Sequence, residues 1–259
     1  MPMIDADGCL LNVSVEGRDG GPTLMLSNSL GCTLQMWEPQ MKALTQLFRV
    51  IRYDRRGHGK SGMPPGPYSM ERFGRDVLAI LDDLNIEKVH WCGLSMGGMV
   101  GQWLGASAPD RVDKLILSNT ACYYPDPTFW VERLKFVRAN GLPALVGANM
   151  ERWFTKDFRE RAPDVIGRMT EMFVKTDVEG YVGCMEAIRD MDHRPLLPKI
   201  KAPTLVIAGR FDPATPLPGN EFIRDHIPGA KLAVLDAAHI ANMELPQAYA
   251  DTVLGFLLN

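Results

Sequence analysis

Val89-His90-Trp91-Cys92-Gly93-Leu94-Ser95-Met96-Gly97-Gly98-Met99-Val100-Gly101 is the stretch on which the fold turns. Its first four residues form a dense run of strand type, and the residues after Ser95 open a helical pattern. Ser95 therefore falls on a sharp strand-to-helix turn. Such a turn crowds its own backbone, so the positions two before and two after it must be small, and they are Gly93 and Gly97. The spacing predicts a serine hydroxyl held above a sheet, beside the positive end of a helix.

The same alternation extends in both directions. Leu10 to Val15 alternates apolar and polar residues, as an edge or antiparallel strand does. The runs Thr23–Ser27, Phe48–Tyr53, Val89–Cys92, Lys114–Ser118, Pro203–Ala208 and Lys231–Leu235 are denser, which predicts central parallel strands buried on both faces. Val77, Ile80, Leu81 and Leu84 repeat at helical spacing within Phe73 to Leu84, and a second helix is expected from Met99 to Ala108. The result is an α/β fold with a doubly wound, mostly parallel sheet.

The rhythm breaks between Tyr123 and Pro195. Phe129–Asn140, Leu142–Phe154, Pro163–Lys175 and Val178–Met191 all read as helix, and Val165, Ile166, Met169, Met172 and Phe173 form an apolar stripe. Residues 123–195 are thus expected to form a helical cap inserted between two strands of a core made from residues 1–122 and 196–259. Insertions at strand C-termini sit where ligands bind in open α/β sheets.

Composition narrows the rest. A net charge of −3 over 259 residues provides no basic face for nucleic acid. The cysteines, five in number and without CxxC spacing, argue against a disulfide framework or a structural zinc site and suggest a reducing compartment. The N-terminus does not read as a signal peptide, and no apolar stretch approaches a membrane span of roughly 18 residues. A cytoplasmic protein is the expectation.

A serine hydroxyl needs a neighbouring base to act as a nucleophile. His239, just after the strand ending at Leu235, is the candidate. His58 reads as structural, His90 lies inside the nucleophile strand, His193 as solvated near the end of the cap, and His226 as a helix-end residue. A carboxylate must hold the imidazole in the right tautomer. Asp212 follows the strand ending at Ala208, whereas Asp236 is too near His239 and Asp54 lies on an earlier strand. The order Ser95, Asp212, His239 is that of the α/β-hydrolase triad. The amides of Met96 and Leu30 are the expected oxyanion donors.

With Asp54-Arg55-Arg56-Gly57-His58-Gly59-Lys60-Ser61, these residues resemble the α/β-hydrolase superfamily over almost the full chain. Within it the chain resembles the 3-oxoadipate enol-lactonases of the protocatechuate branch of the β-ketoadipate pathway. The carrying segments are Leu26–Gly31, Cys92–Gly98, Arg152-Trp153-Phe154-Thr155 and Pro213-Ala214-Thr215-Pro216. Asn28-Ser29 stands where many relatives have His-Gly, a departure this lactonase group shares.

The resemblance implies a small anionic lactone as substrate and requires no metal or organic cofactor. Burying the substrate's free carboxylate unpaired would cost several kcal/mol, so the pocket should hold a cation. Arg133 is the first candidate, because it shares a helical face with Trp130, Leu134 and Val137. Arg152 beside Trp153 is the second. A carboxylesterase or another lactonase would use the same triad, and a C–C bond hydrolase is a further rival. Dehalogenase chemistry needs a carboxylate where Ser95 stands, and a dienelactone hydrolase needs a cysteine there, despite nearby Cys92. Retention of serine, histidine and aspartate together argues against a non-catalytic ligand-binding member.

Overall fold

The computed structural model describes residues 2–259. The strands are β1 (Met3–Asp5), β2 (Leu10–Gly17), β3 (Thr23–Ser27), β4 (Arg49–Tyr53), β5 (Val89–Leu94), β6 (Val112–Ser118), β7 (Thr204–Gly209) and β8 (Lys231–Leu235). They form a single sheet in the order β1-β2-β4-β3-β5-β6-β7-β8. β1 pairs antiparallel with β2 and β2 with β4, and all remaining pairings are parallel. The chain runs outward from β3 to β4 and then returns to the other side of β3 as β5. That reversal opens a crevice beyond the C-terminal ends of β3 and β5, the usual place for a ligand in such sheets. Both Asn28–Gly31 and Ser95 follow those ends directly.

Helices α1 (Glu38–Leu44), α2 (Met70–Asp83) and α3 (Met96–Ser107) belong to the first half of the chain. Ser69 caps α2 by accepting from the Arg72 amide at 3.1 Å. Five helices separate β6 from β7: α4 (Thr128–Asn140), α5 (Val146–Trp153), α6 (Lys156–Arg161), α7 (Pro163–Val174) and α8 (Val178–Arg189). The two ends of this insertion meet at an antiparallel bridge between Tyr123 and Asp192, with the His193 amide donating to Cys122 O at 2.7 Å. α9 (Leu217–His226), α10 (Ala241–Glu244) and α11 (Pro246–Leu257) complete the chain. Among the described residues, no helix is long and apolar enough to cross a membrane.

Two sequence expectations need correction and two need completing. β8 is an edge strand, half-exposed instead of buried on both faces, because nothing pairs beyond it. The short β1 adds a strand that three residues could not signal by periodicity. The stretch from Leu142 to Phe154 is split: Gly141 and Pro143 set a 3-10 turn over Leu142–Leu145 before α5 begins. The helix after the nucleophile begins at Met96, where the helical pattern opens, ahead of the Met99–Ala108 run, so Ser95 itself occupies its N-cap.

The Ser95 turn is held by contacts too close for side chains. Ser95 has φ +57° and ψ −114°, a conformation L-residues avoid. A Cβ on Gly93 would lie 2.1 Å from Gly97 O, and one on Gly97 would lie 2.2 Å from Ser27 O. The Ser95 amide donates to Ser118 O at 2.8 Å, and the Thr120 hydroxyl donates to Ser95 O at 2.7 Å. Backbone clearance, not local propensity, makes both glycines necessary. Gly93→Ala should lower unfolding free energy by about 2 kcal/mol or more. A urea transition with a reduced midpoint and an unchanged slope is the expected readout.

Candidate active site

Ser95, His239 and Asp212 come from three separate loops at the same sheet edge. Asp212 is reached through a turn after β7, where its own amide donates to Gly209 O. One carboxylate oxygen accepts from the Ala214 and Thr215 amides at 2.7 and 3.1 Å. The other accepts from the Thr215 hydroxyl at 2.6 Å and from Asn119 Nδ2 at 3.1 Å, and lies 2.8 Å from His239 Nδ1. Burial raises the Asp212 carboxyl, but the charge and hydrogen bond of His239 and the bonds from Thr215 outweigh it. The net shift is downward, so the carboxylate form is favoured. With Nδ1 committed to Asp212, His239 keeps Nε2 for another partner.

Ser95 and His239 line the same cavity, with no hydrogen bond between them. Such contacts are often long in free enzymes and shorten on complex formation. The space is half-enclosed and opens to solvent. Ser29 and Leu30 contribute from the β3 loop, and Trp130, Arg133, Asn149, Arg152, Trp153 and Tyr181 from the inserted helices. Neither the Leu30 nor the Met96 amide has an acceptor among the described residues. Asn28 O accepts from the Gly97 amide at 3.0 Å, which ties the β3 loop to the start of α3.

The two arginines are held differently. Arg133 donates to Asn149 Oδ1 and, at 3.1 Å, to Tyr181 Oη. Arg152 makes no hydrogen bond or ion pair among the described residues. Its guanidinium lies 5.0 Å from the Phe129 ring centroid, and that of Arg133 lies 5.9 Å from it. Burial, and then the charge of Arg133, push the pKa of Arg152 below its ordinary value. Trp130 presents a buried indole N–H without an acceptor. Two cations and a free donor therefore share one half-enclosed space.

The other histidines divide as expected except one. His90 contacts Asp113 from inside β5, and His226 is exposed at the end of α9. His193 is buried, not solvated, with Nδ1 3.3 Å from Gln102 Oε1, because the neck of the insertion folds onto α3. Cys92 is sealed beneath the site, its thiol pushed up to about 12 by burial, so it offers no nucleophile. Asp236 pairs outward with Arg210 at 2.6 Å.

Sequence reasoning missed Asn119, which bridges Asp212 to Ala238 O at 3.2 Å. A polar residue one step past the strand Lys114–Ser118 was the available signal. It also missed Asn149, Tyr181 and Thr215, whose roles depend on what the fold brings beside them.

Comparison with known proteins places the chain in a family. A family model described as the alpha/beta hydrolase fold matches residues 22–246. The chain belongs to the α/β hydrolase family and is a hydrolase. It is 43% identical to the crystal structure of the enol-lactonase from Burkholderia xenovorans LB400, with a TM-score of 0.98 and all of both chains covered. It is 40% identical to 3-oxoadipate enol-lactonase 2 of Acinetobacter baylyi, over 96% of this chain and 94% of that one. It also resembles a malate-bound thermophilic esterase from Thermogutta terrifontis, at 27% identity and a TM-score of 0.92, over 99% of this chain and 96% of that one.

His58 links this site to acid stability. Its Nε2 accepts from the Gly31 amide at 2.9 Å, which requires the neutral ring. Burial, and then the charge of Arg55, push the imidazole down from 6.5 to about 3. The folded state thus excludes a proton that the unfolded chain binds below pH 6.5. Its stabilisation is complete above that pH and declines as pH falls towards the folded value. Between pH 6.5 and 5 this amounts to about 2 kcal/mol. His58→Gln, which keeps an acceptor but does not titrate, should lose about that much less stability than the parent from pH 7 to 5, as read by urea unfolding.

Proposed function

We propose that this hydrolase opens 3-oxoadipate enol-lactone to 3-oxoadipate through an acyl-enzyme on Ser95. Hydrolysis of an ester bond, and of a lactone in particular, follows from the family and from the enol-lactonases to which the chain is similar. The observation that carries the finer reading is the pair Arg133 and Arg152 in the cavity of Ser95 and His239. A neutral ester has no use for two cations. A ring with a free carboxylate does.

Ser95 Oγ attacks the lactone carbonyl carbon while its proton passes to His239 Nε2, and the Asp212 carboxylate stabilises the imidazolium. The tetrahedral oxyanion lies against the Leu30 and Met96 amides. The ring C–O bond breaks, His239 returns the proton to the leaving enolate oxygen, and the enol becomes a ketone. Water then gives its proton to His239 and attacks the acyl carbon, and Ser95 leaves with that proton. Arg152, the unpaired cation, holds the substrate carboxylate. Arg133 flanks it, oriented by Asn149 and Tyr181, and Trp130 and Trp153 wall the cavity.

The segment 123–195 acts as the cap in this reading. The five cysteines, all unpaired and buried, suit a reducing compartment, and cytoplasmic catabolism of aromatic compounds is part of the same proposal. A broad carboxylesterase would use the same trio and is the reading to beat.

Turnover of 3-oxoadipate enol-lactone measured beside p-nitrophenyl acetate separates the two. Lactone turnover should dominate, and Ser95→Ala should abolish both activities with the fold intact. Arg152→Met should lower kcat/KM for the lactone about 30- to 100-fold, the worth of a charged hydrogen bond. It should change the neutral ester less than about threefold. Equal losses on both substrates would remove the carboxylate clamp from the mechanism.

A further inference from the structure

His239 is flanked by two residues whose backbone amides are both tied to the segment 153–155 of the inserted helices. The Ile240 amide donates directly to Trp153 O at 3.0 Å. The Ala238 amide donates at 3.0 Å to a carboxylate oxygen of Glu244, a side chain only 4% exposed. That same oxygen accepts from the Thr155 amide at 3.3 Å, and the other accepts from the Thr155 hydroxyl. Among the described residues, no basic side chain pairs with Glu244. Its charge is met by two backbone amides and a hydroxyl, all belonging to the two segments it joins.

Glu244 does not line the cavity. Trp153 and Arg152 do, directly before the segment it grips. A buried carboxylate held by three donors is strongly directional, and losing it would leave both amides orphaned. The position of the imidazole is therefore mechanically joined to the position of the α5–α6 junction.

We infer that Glu244 is a positioning residue that transmits the seating of the segment 153–155 to His239. The imidazole is in register with Ser95 only while Thr155 and Ala238 share the Glu244 carboxylate. Substrate pressing on Arg152 and Trp153 thereby bears on the base without touching it. This rests on the roles proposed for Ser95 and His239.

The test uses the full-length enzyme and p-nitrophenyl acetate, an ester that makes no use of the arginines. Glu244→Gln should lower kcat by about 10- to 100-fold, the scale expected when a reacting group is misplaced by up to 1 Å, with KM within about threefold. Thr155→Val should lower kcat about 3- to 10-fold in the same pattern, and Thr155→Ser should restore it. The double variant Glu244→Gln with Thr155→Val should be no slower than Glu244→Gln alone, because both remove one linkage. The low-field proton signal between His239 and Asp212 should broaden in Glu244→Gln and in Thr155→Val, but not in Thr155→Ser.

Folded Glu244→Gln with the parent kcat overturns the inference. So does an additive double variant, or a Thr155→Val enzyme as fast as Thr155→Ser. If Glu244→Gln does not fold, the Val and Ser variants at position 155 decide alone. His239→Ala serves as the separate control: turnover near the parent rate there would refute the assignment of the base itself, whatever the Glu244 variants do.

Discussion

Backbone packed against backbone at the Ser95 turn is the constraint on which the rest of the molecule depends. Gly93 faces Gly97 O and Gly97 faces Ser27 O at distances where no Cβ fits. Because the turn is that tight, the hydroxyl stands above the sheet while α3 starts immediately behind it. The strain of a positive φ at Ser95 is sustained by bonds from three directions: the Ser118 carbonyl, the Thr120 hydroxyl and the carbonyl of Asn28. The β3 loop is placed by those same contacts, so the serine and the amide of Leu30 are set by one piece of packing.

Electrostatics in the cavity are arranged in two opposed halves. On the sheet side, Asp212 is buried but satisfied by two amides, a hydroxyl, Asn119 and His239. On the side of the inserted helices, Arg152 is half-buried, unpaired and pressed by a second arginine. A satisfied acid and an unsatisfied base have different meanings. The first is a fixed part of the protein, and the second, in the function proposed above, is where a ligand's charge would sit. Aromatic rings around the arginines, with Phe129 against both, moderate the repulsion without neutralising it.

Much of the fold was legible because its signals are local. The strands Thr23–Ser27 and Lys231–Leu235 have the observed bounds, since dense apolar runs between turn residues have little alternative. Ser95, Asp212 and His239 were legible because each follows such a run at the same end of the sheet. β1 was not, because three residues carry no period. The burial of His193 was not, because it depends on where the insertion's neck lands. Arg133, singled out from its helical face as the first candidate for the substrate carboxylate, does line the cavity. That Asn149 and Tyr181 would engage it, leaving Arg152 unpaired, could not be read from spacing along one helix.

The sequence by itself determined the alternation of strands and helices, the sharp turn at Ser95 and the chain order of serine, aspartate and histidine. Each follows from steric rules that act over a few residues. Only the tertiary structure decided which charges are spent and which are free, and what holds the histidine in place. Glu244 grips Thr155 from 89 residues away, and Asn119 reaches Asp212 across 93. The first partner is set by how the insertion meets the sheet edge and the second by the pairing of β6 with β7, and no local pattern encodes a contact whose two halves are ordered only when the whole core has packed.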